Sequence, residues 1–397
     1  MKTTGPIFSN RAISTRTLRQ RAYNLRWAGQ DPDVIPLTAA DSDFPVSQTI
    51  IDALSEYMQG GIFSYTPPEG LPEFREAVAT WFSEHKGLLC GPEHVLATDG
   101  AASTLQAVAS SFVSPGDEIL IFDPVDFLFQ TTVERAGGCT VRVALTVDMP
   151  IELLLAELDS ALTKRTTMLW LCNPHNPLGR VFSADELLAL GNWALEKGVS
   201  IVSDEIWSDI VYAPYRHTCM ASLSPEIAQI TLTVYGFSKN FGLAGMRMGT
   251  LITHNASWME RVIQMSGARE TLFGSCVLSQ IAAIAAMEHA KDWLAAFIQH
   301  LQRQRDLVFQ RMYCWPGFEL DLPQGTFVAF PKLPAGDISE DAFCSEILKK
   351  ARVALVPGSP RWFGPGARHH VRISFATSEE ILTQALDRIE TVLPSLF

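Results

Sequence analysis

Lys239 and Arg247 in "YGFSKNFGLAGMRMG" are two cations eight residues apart with two different jobs. A lysine held in a largely desolvated site loses its proton readily and can form a Schiff base, while a guanidinium suits a phosphate dianion. In "LATDGAASTLQAV", Thr98-Asp99-Gly100 leads into small residues and then a helical pattern. That is the composition of a helix N-terminus whose free N–H groups cradle an anion. "LCNPHNPLGRVF" sets Asn173 and Asn176 each before a proline, directly after an apolar run, so that a side-chain amide is aimed from a rigid turn. In "VSIVSDEIW", Asp204 and Glu205 stand where a buried strand leaves the sheet. A carboxylate there can hold a heterocyclic nitrogen protonated, so that the ring withdraws electrons. Each cluster alone also has a plain reading: a surface lysine, a tight turn with its cap, asparagines serving turns, a carboxylate capping the next helix. All four end strands, where open α/β sheets bind ligands, and together their residue types suit one cofactor.

The elements that must position these groups are legible as short apolar runs, "DEILIFDP", "TTMLWLCNP", "VSIVSDE", "ITLTVYGFS" and "MGTLITH". Strands buried on both faces of a parallel sheet read as continuous apolar stretches of this kind. Between them, "FSADELLALGNWALEKG" has Ser183 as N-cap, apolar residues at helical spacing and Gly198 as its stop. The alternation predicts one α/β layered domain over roughly 50–280. A long helical pattern, "VLSQIAAIAAMEHAKDWLAAFIQHLQRQRDLVFQRM", then leads to a tail with short strands in "GTFVAF" and "HHVRISFA". The domains expected are a large one over 50–285, and a smaller α+β one built from 286–397 with the N-terminal arm, 1–49.

The bulk composition narrows the function classes. The chain has 397 residues, 47% hydrophobic and 19% charged, with a net charge of −12. That is the make-up of a globular enzyme, and it lacks the basic footprint a nucleic-acid surface needs. No apolar run reaches the ~18 residues of a membrane span. Seven cysteines, Cys90, Cys139, Cys172, Cys219, Cys276, Cys314 and Cys344, form no CxxC pair. They fit reduced thiols in a reducing, cytoplasmic setting, and they offer no metal site. The start, with no acid before Asp31, has the composition of a transit peptide or of a solvated or subunit-clasping arm.

Taken together, the four clusters resemble the fold-type I pyridoxal-phosphate enzymes, specifically the class I/II aminotransferase family, in order and over nearly the whole chain. The resemblance implies a large domain with a mainly parallel seven-stranded sheet and a smaller α+β domain. It implies that Lys239 in "SKNFGLAGMRMG" is the Schiff-base lysine, with Ser238 beside it, and Arg247 the phosphate arginine. Asn176 matches the asparagine that hydrogen-bonds the ring hydroxyl, Asp204 the partner of the ring nitrogen, and Gly100-Ala101-Ala102 the phosphate loop. Arg372 in "HHVRISFA" matches the arginine that grips the substrate α-carboxylate, a bidentate task. Tyr65 in "IFSYTPPEG" resembles the tyrosine that reaches the phosphate of a neighbouring subunit, which implies a homodimer with shared sites. The implied cofactor is pyridoxal 5'-phosphate and the implied partners are an amino acid and a 2-oxo acid. Within the family, "VIPLTAADSDFPV", "GGIFSYTPP", "NPHNPLGRVF" and "DEIWSDIVY" look like a cystathionine β-lyase-like branch, whereas Arg247 in "LAGMRMG" looks like the true aminotransferases.

Three positions depart from the pattern. Trp207 replaces a tyrosine; its indole N–H can donate but cannot act as an acid. Gly236 replaces a phosphate-binding serine. Asp126 in "FDPVDFLFQ" falls where an aromatic ring usually stacks on the cofactor, so either Phe127 or Phe129 supplies that face after a local shift, or a carboxylate lies near the ring. A carboxylate there would hold a cationic substrate side chain or relay a proton. The segment "VPGSPRWFGPGARHH", with Arg361, Trp362, His369 and His370, closes over the site or is a surface loop. The implied reaction is transamination, with Lys239 as general base; the alternative is β-elimination releasing pyruvate, ammonia and a thiol. A non-catalytic regulator is disfavoured, because the chain has no basic segment for a DNA-binding module.

Overall fold

The apolar runs become strands because every second side chain finds its own core. In this computed structural model, which describes residues 7–397, the central sheet contains β1 (Val95–Thr98), β2 (Glu118–Asp123), β3 (Cys139–Ala144), β4 (Thr166–Cys172), β5 (Ser200–Asp204), β6 (Thr231–Gly236) and β7 (Gly249–Ile252). Along β2, Ile119 and Ile121 join one buried cluster, with Trp170, Val202 and Val234. The intervening Leu120 and Phe122 join another, with Leu169, Leu171 and Ile201. A continuous apolar run is therefore the period-two pattern of a strand covered on both faces.

The seven strands lie in the order β1-β7-β6-β5-β4-β2-β3, and only β7 runs antiparallel to its neighbours. Register sets the floor of the site: Cys172 pairs with Asp204, and Asp204 with Val234. The carboxyl ends of β4, β5 and β6 thus stop along one line. The strand order reverses between β4 and β2, and that switch point is where such sheets open a crevice.

Helices cover both faces. α1 (Ala101–Phe112) follows β1, α2 (Leu128–Arg135) follows β2, and α3 (Ala184–Lys197) lies between β4 and β5. In α3, Ser183 and Glu186 form a reciprocal capping box and Gly198 ends the helix in the left-handed region, as its residues predict. The long pattern after residue 277 is two helices, Val277–His289 and Lys291–Tyr313. They are broken at Ala290, whose backbone (φ −116°, ψ 20°) is not helical.

Outside the central sheet, Val328–Ala329, Val356–Pro357 and Val371–Ser374 form a three-stranded antiparallel sheet. Ile35–Pro36 pairs in parallel with Val353–Ala354, tying the N-terminal segment to the C-terminal part. Residues 1–6 of the arginine-rich start lie outside the described residues; from Ile7 onward the segment packs on its own chain, with Phe8 and Trp27 buried. Among the described residues no helix is long and apolar enough to cross a membrane, all seven cysteines are free, and no cluster suits a metal ion.

Candidate active site

A cavity of ≈ 640 Å³ opens at the carboxyl ends of these strands. Gly100, Ala101, Ala102, Asp126, Phe127, Asn176, Asp204, Trp207, Ser238, Lys239, Arg247 and Arg372 all line it. Tyr65 does not. It stands 82% exposed with its ring 5.5 Å from that of Phe273.

One end of the cavity is an anion cradle. Gly100 caps α1 with φ 99°, a conformation other residues rarely adopt, and this turns the free N–H groups at the helix start toward the cavity. A Cβ built on Gly100 would sit 3.4 Å from Arg247 Nη2, so the guanidinium lies across the helix N-terminus. Gly249 permits this approach: a Cβ there would come within 2.6 Å of the Gly100 carbonyl carbon. A helix N-terminus and an arginine together suit a phosphate. Gly236 leaves room beside Ala101, at 3.5 Å from an ideal Cβ.

At the centre, Lys239 Nζ donates to Ala40 O at 2.6 Å and lies 5.4 Å from the centroid of the Trp207 ring. Burial pushes this amine below its ordinary range; the negative charge of Asp41 opposes the shift and Arg372 adds to it. A lysine so placed yields its proton more easily than one in water.

Asp204, at the end of β5, is buried, and one of its carboxylate oxygens accepts from Ile206 N at 3.1 Å. Burial pushes its carboxyl up to about 7, the Ile206 N–H opposes the rise, and the charge of Asp126 adds to it. Glu205 leaves the opposite face of the strand. It accepts from Met220 N and Ser203 Oγ, both at 3.0 Å, and lies 3.4 Å from His217 Nε2, away from the cavity. The adjacent acids therefore divide, one toward the cavity and one into the structure behind it.

At the far side, Arg372 is buried with its Nε unpartnered. Its Nη1 donates to Asn176 Oδ1 at 3.2 Å, and Asn176 Nδ2 donates to Asp126 Oδ2 at 3.0 Å. Asp126 Oδ2 is 3.9 Å from Arg372 Nη1, and Oδ1 accepts from Leu128 N at 3.2 Å. A carboxylate does therefore enter the cavity at the position where sequence alone left a choice. Phe127 lines the cavity edge-on to Trp362, ring centroids 5.5 Å apart. Phe129 is buried, its ring 6.0 Å from that of Trp170, and it also lines the cavity.

These groups fit pyridoxal phosphate on their own chemistry: an open glycine cradle facing a guanidinium for the phosphate, a buried carboxyl that lacks a cation, and a desolvated amine between them. Sequence reasoning missed Asn24, Leu25, Ala39 and Ala40 in the wall, and the charge of Asp41 on Lys239. The stretch "VIPLTAADSDFPV" carried the only signal for the last three. Of the C-terminal segment, Trp362 lines the cavity, while Arg361 and His369 are exposed and His370 stacks on Phe330.

The sequence profile of the family described as aminotransferase class I and II matches residues 32–389. An aspartate aminotransferase of Geobacillus stearothermophilus is 33% identical over 98% of this chain and 98% of its own. The cystathionine beta-lyase PatB of Bacillus subtilis (strain 168) is 30% identical, over 91% of this chain and 93% of its own. The solved aromatic aminotransferase of Pyrococcus horikoshii OT3 superposes with a TM-score of 0.85 at 29% identity, covering 96% of this chain and 99% of that one.

Proposed function

The chain belongs to the class I and II aminotransferases, and on that premise we propose how its own residues carry the reaction. It is a pyridoxal-phosphate-dependent enzyme that transfers an amino group between an L-amino acid and a 2-oxo acid. When bound, the cofactor supplies an electron-poor ring that takes up the charge left on the substrate α-carbon. The observation that carries the assignment is the single cavity that brings the depressed amine of Lys239 between the buried carboxyl of Asp204 and the guanidinium of Arg372.

In this reading the N–H groups of Ala101 and Ala102 and the Arg247 guanidinium bind the phosphate. Asp204 holds the ring nitrogen protonated, which relieves the cost of its own burial. Asn176 bonds the ring oxygen, while Trp207 and Phe127 wall the ring. Arg372 grips the α-carboxylate, and Lys239 Nζ, neutral when it acts, takes the α-proton and returns it. Ser238 lies beside it at the cradle.

A homodimer is part of the same proposal. Ile62, Phe63, Tyr65, Leu272 and Phe273 are large apolar side chains left exposed, and a second copy of this chain is the partner that would cover them. So are the division into a large body over 50–285 with an arm and small body over 1–49 and 286–397, which the pairing of Ile35–Pro36 with Val353–Ala354 supports, and a cytoplasmic setting, which the free thiols support.

The relatives' names make aspartate the first donor to try and carbon–sulfur elimination the second reading. A half-reaction separates them. Holoenzyme is mixed with single amino acids or cystathionine, without a 2-oxo acid, while the cofactor spectrum and products are followed. The aminotransferase reading expects conversion to the pyridoxamine form with one equivalent of 2-oxo acid. Continuous release of pyruvate and thiol with the starting spectrum retained would reverse the assignment.

A further inference from the structure

Three cations line the cavity, and each has a task. Arg247 faces the cradle at Gly100, Lys239 stands at the reaction centre, and Arg372 lies where a substrate carboxylate binds. Among the described residues no fourth cation lines it. Of the two lining anions inside the pocket, Asp204 is assigned to the ring nitrogen, which leaves Asp126. Its carboxylate already shares Arg372 at 3.9 Å. A substrate α-carboxylate on Arg372 makes a second anion on one guanidinium, and among the described residues of this chain no further cation lines the cavity to balance a third. Beyond these five groups the lining carries no charge: Leu25, Phe127, Leu128, Trp362 and Phe363 are apolar, and Asn24 and Asn176 are neutral amides. The Asp126 carboxylate already faces the Arg372 guanidinium and accepts from Leu128 N and Asn176 Nδ2, so its charge is offset before a substrate ammonium arrives.

We propose that Asp126 is a specificity-determining residue that excludes dicarboxylic substrates, and that this enzyme takes amino acids and 2-oxo acids with uncharged, apolar side chains. The inference rests on the placement of the α-carboxylate on Arg372. On this inference its substrates differ from the amino acid for which several of its relatives are named.

The test uses inert acids, so that it does not depend on which reaction follows. Binding of valerate, glutarate and 5-(trimethylammonio)valerate to the holoenzyme is measured by calorimetry; the three share a five-carbon acid chain and differ in the terminal group, and the quaternary ammonium cannot condense with the cofactor's aldehyde. Valerate should bind most tightly, and glutarate about tenfold or more weakly, since a like charge brought close is penalised. Asp126→Asn, which keeps an oxygen for the Leu128 N–H, should reduce the valerate-to-glutarate ratio by about tenfold. Asp126→Ser serves if the first variant loses cofactor. Glutarate binding as tightly as valerate, 5-(trimethylammonio)valerate binding best, or a ratio unmoved by either variant would each overturn the proposal. If none of the three acids binds, the placement of the carboxylate on Arg372 fails, and the proposal fails with it.

Discussion

Removing the charge of Asp204 should make the cofactor-free protein more stable at alkaline pH while abolishing its chemistry. Burial raises the Asp204 carboxyl from an ordinary 3.8 to about 7. A carboxyl with a raised folded-state affinity is protonated and nearly free of cost below pH ~4, and its cost grows as pH rises to about 7, where the ionised form becomes fixed. At ~1.36 kcal/mol per tenfold in proton affinity, the full rise is an upper bound of ~4 kcal/mol, of which ~2–4 kcal/mol is expected after relaxation. Asparagine keeps the oxygen that accepts from Ile206 N and removes the charge. With an unfolding entropy of ~2.1 cal/mol/K per residue, each kcal/mol moves the midpoint of a chain this long by ~1 °C, so Asp204→Asn should raise Tm by ~2–5 °C at pH 8 and by ~1 °C or less near pH 4.5. The assay is differential scanning calorimetry of wild type and variant stripped of cofactor, at both pH values. With cofactor bound the order should invert, because only the carboxylate pairs with a cationic ring nitrogen. The reasoning is refuted if the cofactor-free variant is equally or less stable than wild type at pH 8, or if the difference is the same at both pH values.

Two further substitutions probe the ends of the cavity. Gly236→Ser introduces a Cβ at ordinary contact distance, 3.5 Å from Ala101 and Ile206, and a hydroxyl beside the cradle; equilibrium dialysis should show cofactor held about tenfold more tightly, the worth of one charge-assisted hydrogen bond. A looser cofactor would mean that the phosphate does not lie against Ala101. Arg372→Lys replaces a planar fork with a point charge; KM for the amino-acid donor should rise ~10–100-fold with a smaller change in kcat, and steady-state kinetics showing kcat alone reduced would refute the carboxylate assignment.

The sheet was readable where both of its faces are covered. Strands β2, β4, β5, β6 and β7 announce themselves as apolar runs because each apolar side chain along them enters one of two cores. β3 lies at the edge, and along Cys139–Ala144 only Val143 is buried, between half-buried and exposed residues, so it carries no such run. β1, only four residues long, is masked by the turn that follows it. Of the site, Lys239, Asp204, Asn176 and Arg247 were visible because polar residues directly after an apolar run have few structural reasons to be there. Asp41, Ala40 and Leu25 were not: their positions follow from how residues 24–41 run along the cavity, and a carbonyl oxygen such as that of Ala40 has no signature in residue type. Asp126 was visible as an anomaly, but only the hydrogen bond from Asn176 decided that its charge, and not a shifted ring alone, lies in the cavity.

The wall of the cavity is drawn from Asn24 and Leu25 near one end of the chain and from Trp362, Phe363 and Arg372 near the other. Such distant segments meet only after the sheet between them has formed, and pairings of high sequence separation are the slow ones in folding. During synthesis, β1 to β6 and the cradle at Gly100 can be in place while Arg372 is still being added to the chain. The cofactor's phosphate thus has a seat before the substrate's carboxylate has one. A chain interrupted at that stage would be expected to dock the cofactor without gaining a grip on any amino acid, leaving a reactive aldehyde held but unemployed.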